Sequence, residues 1–258
     1  MSLRFAPLIA IISCCAGALL AQAPSVQPVL PPTGLTVQYG LGQYALRDEY
    51  ISKERYSGIM PYVSAEWSRF HGKWGYRLGF EFRQATEISN NNVAAGILHA
   101  ALYRDYFYPV GRKSLFGNDA YLFLGPATGI HIYMNDQQVA AQGAFNFDNS
   151  MATLFSLGIN AMAVVPFRAH LQIEGSLRLS LLAMGVRSTD VVEGEGSMGG
   201  ILTLLSGTDP TAGCGIRYFI DERLSLKAAY RLQILRISKW NPLLSVDDNI
   251  TLSISVHI

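Results

Sequence analysis

Asn249-Ile-Thr-Leu-Ser-Ile-Ser-Val-His-Ile258 alternates without a break to the end of the chain. Ile250, Leu252, Ile254, Val256 and Ile258 fall on one side, and Asn249, Thr251, Ser253, Ser255 and His257 on the other. Successive side chains of a strand point to opposite faces, so this is a strand with one oily wall and one wet wall. The same period of two recurs upstream. Ten segments carry it, at about 35–46, 58–70, 74–86, 93–108, 119–134, 150–164, 170–184, 208–220, 224–238 and 249–258. Most exceed the ~5–6 residues of an average strand and reach the ~9–11 that a tilted strand needs to cross a bilayer.

The two faces differ in chemistry. Trp74, Tyr76, Leu78, Phe80 and Phe82 oppose Gly75, Arg77, Gly79, Glu81 and Arg83. Leu171, Ile173, Leu177, Leu179 and Leu181 oppose Gln172, Glu174, Ser176, Arg178 and Ser180. Leu224, Leu226, Ala228, Tyr230, Leu232 and Ile234 oppose Ser225, Lys227, Arg231 and Gln233. The segment at 119–134 is less clear, with Tyr121, Phe123, Gly125, His131 and Tyr133 on the less apolar side. A soluble lipid-carrying barrel turns its apolar face inward, and a membrane barrel turns it outward. The polar face mixes small residues (Gly40, Gly42, Gly75, Gly79, Gly213, Gly215) with both signs of charge (Glu66, Glu81 and Glu174 against Arg77, Arg83, Arg178, Arg217, Lys227 and Arg231). Small residues make room in a narrow tube, and opposed charges pair across it.

The connections alternate in length. Those at 47–57, 87–92, 135–149, 185–207 and 239–248 are mostly long and polar or glycine-rich. Those at 71–73, 166–169 and 221–223 are tight, and 110–118 is the exception. Membrane barrels have short periplasmic turns and longer external loops. Trp67, Phe70, Trp74, Tyr106, Phe107, Tyr108, Phe167, Tyr218, Phe219 and Trp240 lie near strand ends, as interfacial girdles do. The expected fold is all-β: a closed antiparallel up-and-down transmembrane β-barrel of about ten strands, with eight or twelve as alternatives.

The N-terminus reads as an export signal over 1–23, with Arg4, an apolar run from Phe5 and an Ala21-Gln22-Ala23 cleavage site. Lipoprotein processing at Cys14 is the alternative. Residues 24–33 hold Pro24, Pro28, Pro31 and Pro32 and form an extended linker. The barrel domain is then 34–258. Charged residues are 15% of the chain, against about 25% in an ordinary soluble protein. Cys214 is the one cysteine beyond the signal, so no internal disulfide is expected. A net charge of +1 without a basic stripe excludes a nucleic-acid partner.

In this combination of signal, alternating strands, unequal loops and terminal strand, the chain resembles the superfamily of small bacterial outer-membrane β-barrels. The resemblance is one of architecture. It implies an outer-membrane location, lipid and lipopolysaccharide around the wall, and delivery by the barrel-assembly machinery. Such barrels often end in Phe or Trp, whereas this chain ends in His257-Ile258.

Three enzyme families built on small barrels supply residue patterns to compare. Lipid A deacylases carry a His-x-Ser pair near the C-terminus, and here Arg236-Ile237-Ser238 puts arginine where histidine is needed. Arginine stays protonated and cannot take the serine proton. Omptin proteases need acidic pairs and a His-Asp couple at the rim. Asp247-Asp248 and His131 with Asp136 do not reproduce that spacing, and read as a solvated turn and a luminal hydrogen-bonding histidine. Barrel phospholipases need paired Ser and His, but His71, His99, His131, His170 and His257 are scattered. No catalytic, cofactor or metal residue is assigned. Glu81, Arg83, Glu174, Arg178 and Arg231 pointing inward should fill the lumen. The expected role is therefore structural or surface-interacting, as a monomer, through loops 47–57, 135–149 and 185–207. A lipopolysaccharide-modifying hydrolase using Ser238, a narrow small-solute channel and a secreted carrier of an apolar ligand are the alternatives.

Overall fold

The structure is a computed structural model that describes residues 33–48, 52–71, 74–89, 93–115, 117–139, 150–168, 170–189, 198–203, 206–239 and 242–258. The signal over 1–23, the linker apart from Thr33, and Trp240 lie outside the described residues. The strands in chain order are β1 (Gly34–Asp48), β2 (Ser52–His71), β3 (Trp74–Ser89), β4 (Val93–Leu115), β5 (Asn118–Val139) and β6 (Ser150–Arg168). There follow β7 (Leu171–Thr189), β8 (Met198–Thr203), β9 (Gly207–Thr208), β10 (Thr211–Phe219), β11 (Leu224–Ile237) and β12 (Leu243–His257). Every pairing is antiparallel, and β1 bonds to both β2 and β12. β7 pairs with β10 along its first half and with β8 along its second, while β9 and β10 pair with β11. Those three segments share one wall position, and the sheet closes as a ten-stranded barrel. The β7–β10 pairing closes the sheet along the first half of β7, which satisfies there the backbone groups that lipid cannot hydrate, while β8 and β9 pair on one side only.

The expected faces hold. Leu78, Phe80, Leu226, Leu252 and Ile254 are on the outside, and Glu81, Arg83, Glu174 and Arg217 are buried inside. Lumen glycines make room for rings: a Cβ on Gly79 would overlap the ring of Tyr103, and one on Gly75 the ring of Phe70. The aromatics at strand ends divide into two sets. Trp74, Tyr108 and Phe167 face outward, as a girdle does. Phe70, Phe107 and Phe219 instead turn into the lumen, where Phe70 stacks on Phe107 at 5.8 Å and both pack with Phe123, Met162 and Val164.

The strands run further than the alternation indicated. β1 takes in 47–48, β2 takes in 52–57 and β12 takes in 243–248 of the expected loops. The turn at 110–118 is the tip of a hairpin continuing β4 and β5 past the barrel rim, with Gly117 at φ 79° closing it in a left-handed conformation. An Arg112–Asp119 ion pair braces this exposed tip. The expected loop 185–207 is corrected: β7 continues to Thr189 and β8 occupies 198–203. Leu157 opposes Leu182 while Gly158 opposes Ser180, so Leu181 is a bulge. The extra residue reverses the in–out phase of β7 and breaks the period of two there.

One end of the barrel carries the short turns and both ends of the sheet, Gly34 and His257; the other carries the longer connections. Towards the loop end the polarity of the wall inverts. In β1, outward Leu35, Val37, Tyr39 and Leu41 give way to Arg47, while Tyr44 and Leu46 turn inward and are 2% exposed. In β3, outward Phe80 gives way to Gln84, and inward Arg83 to Ala85. In β11, Leu235 and Ile237 are buried inside and Arg236 is exposed. These residues join Tyr56, Met60, Ile88, Ile97, Leu154, Leu202 and Leu243 in one apolar core. The lengths agree with this division. A strand of 19 residues such as β6 rises about 48 Å at ~3.3 Å per residue and ~40° tilt, against an apolar band ~25 Å tall. The lower part of the wall is apolar outside, as for a barrel facing lipid. The upper part is a collar with the polarity of a water-soluble sheet.

Candidate functional site

Between the aromatic layer at the turn end and the apolar core of the collar, the lumen is ionic. Most of its connections join different strands. Glu81 on β3 bonds Arg231 on β11 at 2.8 Å and Arg83 at 3.1 Å, and Arg83 also pairs with Asp247 on β12. Tyr62 lies under both guanidinium groups, at 5.0 and 5.2 Å from its ring centre. Nearer the turns, Arg217 donates from Nε to Glu174 Oε1 at 2.6 Å, and Lys227 Nζ to Glu174 Oε2 at 2.6 Å. Arg217 also donates to the hydroxyls of Ser225 and Ser255, at 3.0 and 2.7 Å. On the other side, Arg77 reaches Asp105 at 2.7 Å, Arg178 reaches the same carboxylate at 3.5 Å, and Tyr103 donates to Glu66 at 2.5 Å.

Above this belt, Asp209 enters the lumen from the break between β9 and β10. It lies 3.2 Å from His131 Nδ1 and accepts from Gln233 Nε2 at 2.7 Å. His99 stacks on Tyr133 at 4.1 Å beside His131. Higher still, Asp48 pairs with Arg187 and accepts from Ser150 at 2.9 Å, inside the collar. Carboxylates and cations are thus interleaved along the lumen, and each acidic group named here meets a donor.

A cavity of about 90 Å³ lies among Glu66, Glu81, Asp105, Arg178, Lys227 and Arg231. Small-molecule sites occupy ~300–1,000 Å³, so this space suits a few waters. Among the described residues, side chains line the lumen in three successive layers: aromatic, ionic and apolar.

The enzyme candidates are not assembled. Ser238 is exposed, and its hydroxyl donates to the carbonyl of Ser206 at 3.0 Å. His99 and His131 are buried in the lumen; His71 lies tilted against Trp74, His170 tilted against Tyr218, and His257 bonds Ser225, all at the turn end. Asp247 and Asp248 do not form a solvated turn. They lie within β12, where Asp247 is 2% exposed and holds Arg83. The register of the closed sheet sets their direction. His131 is luminal, as expected, with Asp209 as its partner, whereas Asp136 faces outward and is exposed. Among the described residues no group of three or more His, Cys, Asp or Glu is placed to hold a metal ion.

No protein-family model matches the chain, and no curated protein matches it in sequence. Solved structures do match in fold. The outer membrane protease OmpT from Escherichia coli superimposes with a TM-score of 0.52 at 6% identity, over 90% of this chain and 99% of that one. The translocator domain of the autotransporter NalP from Neisseria meningitidis gives 0.46 at 12% identity, over 98% and 95%. The chain is similar to these bacterial outer-membrane barrels in architecture.

Proposed function

We propose that the chain is a bacterial outer-membrane barrel with a structural or surface-interacting role, working through its loop end rather than through its lumen. The inverted collar carries this reading. A wall that is apolar outside below and apolar inside above suits a barrel seated in lipid with a packed, water-facing extension, and that extension holds the strand ends at Val139, Ser150, Thr189 and Met198 clear of the bilayer. Short turns at the opposite end suit a periplasmic location. The layered lumen supports a closed barrel, with lipid and lipopolysaccharide around the wall and one chain per barrel. Two measurements test it together. An epitope inserted within 140–149 should be reached by antibody on intact cells, and the purified protein in a planar bilayer should add no steady conductance. A concealed epitope, or stepwise channel currents, would overturn the proposal.

A further inference from the structure

The lipid-facing wall is not uniformly convex. An apolar trough of about 630 Å³ crosses its outer surface from β3 to β8. Leu78, Leu102, Ile130, Phe155, Met184 and Ile201 line it. The register explains its course: Leu102, Ile130, Phe155, Met184 and Ile201 are directly paired neighbours on five successive strands. Five strands at ~4.8 Å spacing give a row about 20 Å long, and strand tilt makes it climb diagonally through the apolar band. The lower end carries a cation. Arg104 lies between Tyr103 and Asp105, which are buried in the lumen, and itself points outward. Its guanidinium stacks on Tyr106 at 4.7 Å and Tyr76 at 5.5 Å. It pairs in register with Leu78 and Thr128, one row above the Tyr76–Tyr106 pair and close to the turn end. No carboxylate of the described residues pairs with it, unlike the lumen arginines. A lipid-facing arginine is costly unless it reaches an interface or a counter-anion.

We infer that this trough and Arg104 bind one glycerophospholipid of the periplasmic leaflet, its phosphate on Arg104 and an acyl chain along the trough. Charge complementarity selects the occupant: an unpaired cation at the turn-end interface, continuous with an apolar channel of chain length. The inference rests on the membrane placement proposed above.

Native mass spectrometry of the detergent-extracted protein titrated with dioleoyl phosphatidylglycerol tests it. The wild-type chain should hold one adduct more tightly than the rest. Arg104→Gln should weaken that adduct roughly tenfold, the loss of one charge-assisted contact. Thr128→Phe, which fills the trough from its outward face, should weaken it comparably, and Arg168→Gln, an exposed cation at the same end, should leave it unchanged. Equal affinity in wild type and Arg104→Gln would overturn the inference. So would tighter binding of lipid A, or a Thr128→Phe-sensitive dimer in place of the adduct. Heat-modifiable migration of each variant separates the two readings. A folded, detergent-requiring barrel without an Arg104-dependent adduct loses only the lipid site, whereas a protein soluble without detergent loses the membrane placement itself.

Discussion

Glu81→Ala removes the centre of the cross-lumen ionic belt. Glu81 is 3% exposed and stands between Arg231 at 2.8 Å and Arg83 at 3.1 Å. At an effective dielectric constant of about 20, unit charges about 3 Å apart attract by about 5–6 kcal/mol, most of it offset by desolvation. Removing one partner keeps the desolvation of the others and discards the attraction, which costs about 3–5 kcal/mol in a buried pair. Arg83 retains Asp247, so Arg231 should carry most of the penalty. Urea unfolding in phospholipid vesicles should therefore lower the stability of Glu81→Ala by about 3–5 kcal/mol. The difference should persist at 1 M salt, because buried pairs are little screened. Glu81→Met combined with Arg231→Leu should recover most of the loss, since an apolar replacement of the whole pair is often neutral. A loss under about 1 kcal/mol, the value of a solvated pair, would refute a sealed ionic lumen, as would a double variant no better than the sum of the single ones.

Gly79→Val should destabilise by about 1–3 kcal/mol in the same assay, because its Cβ meets the ring of Tyr103 and displaces the hydroxyl from Glu66. Ile254→Arg, on the outward face of β12, midway along its apolar stretch and 55% exposed, should cost about 2–4 kcal/mol in vesicles, where a soluble barrel would lose nothing. Leu235→Ala, 1% exposed inside the collar, should cost about 2–5 kcal/mol. Unfolding curves that rank Leu235→Ala no worse than Leu252→Ala, whose side chain is 67% exposed on the wall, would contradict a packed collar.

The barrel was legible in the sequence because an alternating strand declares both its faces in one reading. Period two separates Glu81, Arg178 and Arg231 from Leu78 and Ile254, and the glycines, the opposed charges and the unequal connections turn the first set inward. The inversion near the loop end is also written in the chain, as Tyr44 and Leu46 against Gln43 and Arg47, yet it looks like noise until the strand is known to outlast the membrane. Three other features needed the folded sheet. The partners Asp105, Asp247 and Asp209 are fixed by register and by strands brought together through closure, and no local pattern carries that. Phe70, Phe107 and Phe219 sit at strand ends like girdle residues, and one residue of register decides whether such a ring meets lipid or plugs the lumen. The bulge at Leu181 shifts the phase of β7, which hid its continuation to Thr189 in what reads as a glycine-rich loop.

A nitroxide scan along β12 tests the central claim most directly. Single cysteines from Asn249 to Val256, in a chain whose native cysteines are replaced, would carry a spin label in the vesicle-bound protein. Collision with oxygen, which concentrates in lipid, should peak at Ile250, Leu252, Ile254 and Val256 and fall at Asn249, Thr251, Ser253 and Ser255. The opposite phase, or equal collision with a water-soluble nickel complex at every position, would contradict a barrel with its apolar wall in the membrane and its ionic wall around a closed lumen.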